Sequence, residues 1–173
     1  LSNEGFALFA GTAINASATS LAYDGEYTIN VDYTQAELEK AIKEGYFAFH
    51  LVDGEIVVLE DINSLTTFTD TKNADFAMNQ TVRVVDQIAN DISSLFASKY
   101  IGKIPNDKSG RASLWADIVD HHKALENARA IEDFDSDNVI VSPVDGNKKA
   151  VSVSDTVKIT CCMEQLYMTV YVE

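Results

Sequence analysis

Hydrophobic and polar positions change period several times along the chain, and each change marks an element. Two runs rich in strand-forming residues, Tyr46–Val52 and Glu55–Glu60, flank Asp53-Gly54. A two-residue Asp-Gly connection tolerates positive φ at low cost, so the spacing predicts a β-hairpin. Just upstream, Thr34 and Glu37 stand three apart and form the signature of a capping box. A short helix is expected to follow, with Leu38, Ala41 and Ile42 on its inner stripe and Gly45 closing it. Before that helix, residues 1–33 read as short strands and turns, with a turn at Tyr23-Asp24-Gly25 and a β-rich run over Tyr27–Val31.

Beyond the hairpin the period lengthens. Met78, Val82, Val85, Ile88, Ile92 and Leu95 recur at helical spacing, which predicts a long helix from about Asp75 to Lys99, stopped by Gly102 and Pro105. A second helix is predicted from about Arg111 to Ala130, with Leu114, Trp115, Ile118, His122 and Leu125 on one side. The chain then returns to β-type runs. Asn138–Val141 precedes a turn at Asp145-Gly146-Asn147, and Ala150–Val153 and Thr156–Thr160 follow. The last run alternates: Leu166, Met168, Val170 and Val172 share one face of a strand, and Tyr167, Thr169 and Tyr171 the other. The expected class is α+β, a mixed sheet with hairpins packed on two long helices. The expected division is a β-rich segment over 1–70 and a two-helix-plus-β domain over 71–173. No repeat or low-complexity linker interrupts the series.

Length and charge narrow the field. One domain, or one compact piece of a larger protein, fits 173 residues. The opening on Leu1 rather than Met points to a fragment or processed product. No secretory signal is visible, and no apolar stretch approaches the roughly 20 residues that span a bilayer, so a soluble protein is expected. A net charge of −14 argues against nucleic acid and anionic membrane as partners. The charge is uneven: residues 1–70 carry twelve acids against Lys40 and Lys43 alone. Cys161 and Cys162 are adjacent, where a disulfide would be strained, and two cysteines fall short of a zinc quartet. Reduced thiols are expected.

Catalytic patterns are missing. No Gly-x-Ser-x-Gly elbow, HExxH pair or phosphate loop occurs, and the acidic run Glu132–Asp137 lacks the spacing and glycine of a calcium loop. Asp117 and His121, four apart on one helix face, read as a solvated pair; a metal-dependent hydrolase built on them is the enzymatic alternative, and a monomeric ligand-binding module whose last strand packs internally is another. Two features carry interaction chemistry. A terminal strand can leave its own sheet and pair with a neighbour's edge; here that is Gln165, Leu166, Tyr167, Met168, Thr169, Val170, Tyr171 and Val172. Second, Lys99, Lys103, Lys108 and Arg111 face a single acid, Asp107, within one segment of an acidic protein, a candidate patch for an acidic surface.

Several segments together resemble one family. They are Glu60-Asp61-Ile62-Asn63-Ser64-Leu65-Thr66, Arg83–Ile92, Tyr100-Ile101-Gly102-Lys103-Ile104-Pro105-Asn106 and Met163–Val170, with Gly45-Tyr46-Phe47 and its hairpin. In this order, over roughly residues 20–173, they are similar to the contractile tail sheath proteins of phages and phage-like bacteriocins of Gram-positive bacteria. Cys161-Cys162 departs from that pattern. The resemblance implies the C-terminal part of a structural subunit with no catalytic residue, metal or cofactor. Its partners would be further copies of itself and a tail tube protein, with no nucleic acid and no membrane insertion. It also implies a place in a virion tail assembled in the host cytoplasm, and an N-terminal portion supplying another linking arm and further domains. Arms that add strands to neighbouring subunits are the family's linking device, a role that would fall here on Gln165–Val172.

Overall fold

Residues 11–172 are described by the computed structural model. Their contacts divide them into two compact units, one drawing on the chain up to Val82 together with the segment from Cys161, the other formed by Arg83–Thr160. The division expected near residue 70 follows composition; these units follow contacts.

In the first unit the capping box forms as the sequence dictates. The Thr34 hydroxyl accepts from the Glu37 backbone N–H, and the Glu37 carboxylate accepts from the Thr34 N–H at 2.8 Å. Helix α1 (Gln35–Lys43) follows, and Gly45 takes φ +71° after it. A side chain there would also meet the Asn63 carbonyl and the Ser64 Cα at about 3 Å. Leu38, Ala41 and Ile42 are half-buried. The hairpin is β1 (Phe49–Val52) and β2 (Glu55–Val58), antiparallel, with Asp53 at φ +50° and Gly54 at φ +90°. Two consecutive left-handed residues are what a two-residue turn requires to match strand twist. The Tyr27–Val31 run forms no strand. Strand propensity measures fit to a sheet surface, and no strand pairs with this run; among the described residues, the β-bridge before α1 joins Ala22 to Val57.

The Glu60–Thr66 segment works as a clamp. Asp61, almost fully buried, accepts from the Ala18 N–H at 3.0 Å and from the Asn79 side-chain amide at 3.0 Å. Asn63 donates its side-chain amide to the Phe76 carbonyl at 2.8 Å and its backbone N–H to the Ala77 carbonyl. Buried polar groups are tolerated where they are paired in this way. The clamp fixes the 3₁₀ turn Ala74–Ala77 and the start of helix α2 (Asn79–Leu95).

The predicted long helix is thus three pieces. The 3₁₀ turn opens it, α2 carries most of it, and a π-helical turn over Phe96–Tyr100 ends it. The Ile101 N–H reaches back five residues to the Phe96 carbonyl, and Gly102 then reverses the chain at φ +70°. In the second unit, helix α3 (Lys108–Asn127) begins three residues before its expected start, because Asp107 caps it by accepting from the Gly110 N–H at 2.7 Å. Leu114, Ile118 and Val119 of α3 form a core with Tyr100 and Val139, against which Ile92, Leu95 and Phe96 pack. Trp115, expected on the inner face, is partly exposed.

The remaining strands are short. β3 (Ile131–Glu132) pairs with β6 (Lys158–Ile159), and β4 (Ile140–Val144) with β5 (Asn147–Ser154), all antiparallel. The class is α+β, as expected, but the mixed sheet is not formed: the described strands make three separate two-stranded antiparallel sheets. β1–β2 and β4–β5 are hairpins closed by tight turns, and the two-residue strands β3 and β6 pair with each other across the intervening β4–β5 hairpin. No helix of the described residues is long and apolar enough to cross a membrane.

Gly110 provides a test of the loop that precedes α3. A Cβ placed there would lie 2.0 Å from the Pro105 carbonyl oxygen, so backbone packs directly on the first helical turn. Gly110→Ala is expected to destabilise the protein by about 1–3 kcal/mol, despite alanine's better helix propensity. Denaturant unfolding measures this, and a neutral or stabilising result would show that the loop does not pack there.

Candidate functional site: a terminal arm and a basic groove

The alternating run at the C-terminus belongs to no strand in this chain. From Met163 to Val172 every residue is exposed, with Leu166 at 85%, Tyr167 at 90% and Val172 at 92%. The alternative of a module completed by its own last strand finds no such strand among the described residues. Both faces of the arm meet solvent, an expensive arrangement for so many large apolar side chains. Within the arm the Tyr167 hydroxyl donates to Gln165 Oε1 at 2.9 Å. The root, by contrast, is tethered. The Cys162 N–H donates to Gln80 Oε1 at 3.1 Å, and the Cys161 Sγ lies 3.9 Å from the Met78 sulfur. Both thiols are free, and burial pushes the Cys161 thiol above its usual range.

The four basic residues of the 99–111 segment do not act alike. Lys99 is neutralised within its own unit: its ammonium contacts both Asp117 carboxylate oxygens, at 2.6 and 2.8 Å. Lys103 donates to the Ser98 carbonyl, and Arg111 to the backbone carbonyl and side-chain oxygen of Asn106, both at 3.0 Å. Those acceptors are neutral, so the charges of Lys103 and Arg111 are uncompensated by them. Lys108 opens α3 on the surface. Sequence spacing missed the two lysines that complete this face, Lys148 and Lys149 at the start of β5, both exposed. With Arg111 they edge a groove of about 460 Å³, floored by core side chains including Phe96, Tyr100 and Leu114. Only the fold brings residues 148 and 149 to the 99–111 segment, so no local signal could have shown it.

Asp117 and His121 are not partners, which corrects the pairing read from their spacing. The π turn swings Tyr100 inward so that its hydroxyl donates to Asp117 in a very short hydrogen bond. Burial, followed by the Asp117 carboxylate, holds the Tyr100 phenol far above its usual range. His121 turns instead to Asp91 on α2, at 2.9 Å. His122 is wholly buried, as its place on the apolar stripe predicts, with one ring nitrogen 2.9 Å from the Ile118 carbonyl and the other 2.6 Å from Asp155. These contacts pin the β5–β6 connection to α3. Among the described residues no group of three or more His, Cys, Asp and Glu side chains is placed to hold a metal ion.

Two of these carboxylates set an acid response. Burial alone would raise the Asp117 carboxyl, but hydrogen bonds from Lys99 and Tyr100 outweigh it and hold the group below its ordinary value. Hydrogen bonds from Gln87 and His121 do the same for Asp91. A group depressed in the folded state contributes stability above its unfolded pKa and loses it as pH falls through the folded value. The thermal midpoint is expected to hold steady from about pH 7 to 5 and to drop below about pH 4. Asp117→Asn should flatten part of that drop; an identical acid profile in the variant would remove Asp117 from the account.

Comparison with known proteins completes the picture. The family model for the phage tail sheath C-terminal domain matches residues 71–173. The phage-like element PBSX protein XkdK of Bacillus subtilis (strain 168) is 30% identical over 171 residues, covering 94% of this chain and 37% of that protein. The crystal structure of the sheath tail protein of Desulfitobacterium hafniense superposes with a TM-score of 0.80 at 30% identity, covering 95% of this chain and 38% of that one. The helical sheath of the anti-feeding prophage in its contracted state shares the fold, with a TM-score of 0.65 at 13% identity over 92% of this chain and 45% of that one. The chain therefore spans less than half the length of these relatives. The family and its solved members are structural sheath proteins, not enzymes. By its matched domain, its fold and the segments that carry the likeness, this chain belongs to the phage tail sheath family.

Proposed function

We propose that the chain is the C-terminal part of a sheath subunit that polymerises around a tail tube and contracts to drive the tube through a target cell envelope. Its place would be the virion tail, after assembly in the host bacterial cytoplasm. The observation that carries this reading is the arm. A run of alternating apolar residues that its own chain leaves in water is a strand in want of a second copy's edge.

The energetics favour polymer over dimer. Burying the four aliphatic side chains of one face contributes about 6–12 kcal/mol. Ordering the residues from Gln165 to Val172 costs about 8–16 kcal/mol. Backbone hydrogen bonds return about 0.5–1.5 kcal/mol each. One arm is close to balance, so association becomes favourable when several arms engage together, and growth is cooperative. Contraction then requires no fuel bound by this domain: a metastable extended polymer falls to a state with more contacts between copies. The basic face supplies a second contact. With Lys99 already paired to Asp117, its outward charges are Lys103, Lys108, Arg111, Lys148 and Lys149, which would meet an acidic surface that residues 1–70 give an adjacent copy.

Removal of Gln165–Glu173 from the full-length subunit is expected to change folding stability by less than about 0.5 kcal/mol, because the arm is exposed, while abolishing sheaths in electron micrographs. A truncated protein that unfolds, or that still polymerises normally, would overturn the role of the arm. Lys103→Glu combined with Lys108→Glu is expected to block assembly or contraction with the circular dichroism spectrum unchanged. Normal, contractile sheaths from that double variant would remove the basic face from the interface.

A further inference from the structure

The geometry points to a soft-metal site at the root of the arm, where Met78, Cys161 and Met163 are placed to hold one monovalent ion of the copper(I) class. It concerns the segment in which this chain departs from its family, Cys161-Cys162, and does not depend on how the rest of the arm is used.

The first observation is convergence. The chain has five sulfur-bearing side chains, two cysteines and three methionines. Four of them, Met78, Cys161, Cys162 and Met163, line one cleft of about 360 Å³ in the first unit. The Cys161 Sγ stands 3.9 Å from the sulfur of Met78, eighty-three positions away in sequence. Two sulfurs that share an ion at about 2.3 Å each, the metal–thiolate length, lie about 3.8–4.0 Å apart at bond angles of about 109–120°. Cys161 and Met78 already have that separation. Met163 follows Cys161 by two, the spacing that puts side chains on one face of an extended chain. Fully exposed as it stands, its thioether is free to close over the ion as third donor. Cys162 turns elsewhere: its Sγ lies 3.6 Å from the Asn15 carbonyl, and its N–H is held by Gln80. It anchors the site without ligating.

The second observation is the chemistry of the donors. Thiolate and thioether sulfurs select soft ions such as copper(I). Zinc takes thiolate, imidazole and carboxylate, and among the described residues no group of three His, Cys, Asp and Glu side chains is placed for it. Glu60, Asp61 and Glu164 also line the cleft, and no Lys, Arg or His does. The local field therefore draws a cation.

The third observation is support. Met78 is bridged to Ile62, and its neighbours are fixed by the bonds from the Asn63 N–H to the Ala77 carbonyl and from the Asn79 N–H to the Asp61 carbonyl. Cys161 adjoins the amide that buried Gln80 holds. Ligands positioned by such bonds require little rearrangement to bind. On binding, the Cys161 S–H bond breaks, a sulfur–metal bond forms and the proton leaves to solvent. The metal stays in its +1 state and no electron moves. The ion would staple the first residues of the arm to the residue that leads into α2.

Metal titration tests the site. The full-length subunit, reduced and stripped of metal, receives copper(I) without oxygen in competition with bicinchoninate. In parallel, silver(I) is added and followed by methionine methyl NMR, with signals assigned from methionine-to-leucine variants. The Met78 and Met163 methyls are expected to shift with the first equivalent of silver(I) while that of Met168 stays in place. Cys161→Ser should abolish this response. Met78→Leu, which keeps side-chain volume, should weaken copper(I) binding by about tenfold or more, whereas Cys162→Ser should leave it unchanged. Circular dichroism verifies that each variant is folded. A Met78 methyl unmoved by silver(I), or methyls of Met78 and Met168 that respond alike, would overturn the site. Equal losses from Cys161→Ser and Cys162→Ser would replace it with a simple dithiolate, and zinc(II) bound as tightly as copper(I) would overturn the soft-ion assignment.

Discussion

Water in contact with the apolar residues of the C-terminal arm is the constraint around which this molecule is arranged. Each of those side chains would gain about 1.5–3 kcal/mol by burial, yet the chain spends none of them on its own core. The first unit closes without them, through the Asp61 and Asn63 clamp and the Val57–Val58 strand end. The second closes around Ile118 and Tyr100. A fold that is finished before its last residues are placed can offer those residues to another molecule.

The same logic explains where polar pairing is dense. Gln80 holds the backbone at Cys162, immediately before the exposed run begins. His122 and Asp155 fix the path toward β6. Buried pairs of this kind do little for net stability but are costly to break singly, so they fix the chain at the root of the arm and at the β5–β6 connection.

Local chemistry was legible in the sequence; tertiary choice was not. Thr34 with Glu37, and Asp53 with Gly54, have geometries decided within four residues, and both form as read. Helical period located α2 and α3 for the same reason. Tyr27–Val31 failed because a strand is defined by its partner. Val84 lies fully buried off the expected stripe, since helix packing decides which side is inner. Asp117 was matched with His121 by spacing along one helix, but an ionised carboxylate takes the strongest donors within reach. Here those are Lys99 and Tyr100, eighteen and seventeen residues away. The arm itself was read from alternation alone, whereas the groove needed residues more than thirty positions apart to meet.

The π turn at Phe96–Tyr100 has a further consequence for how such chains can vary. It accommodates one residue beyond what an ordinary helical ending would hold. Excising a single residue there would let the helix run on regularly, but everything downstream would turn by about 100° around its axis. Tyr100 would then face away from α3, and the groove would lose its floor. Length at this point is therefore a coordinate of the groove, and insertions or deletions should be tolerated on either side of it far better than within it.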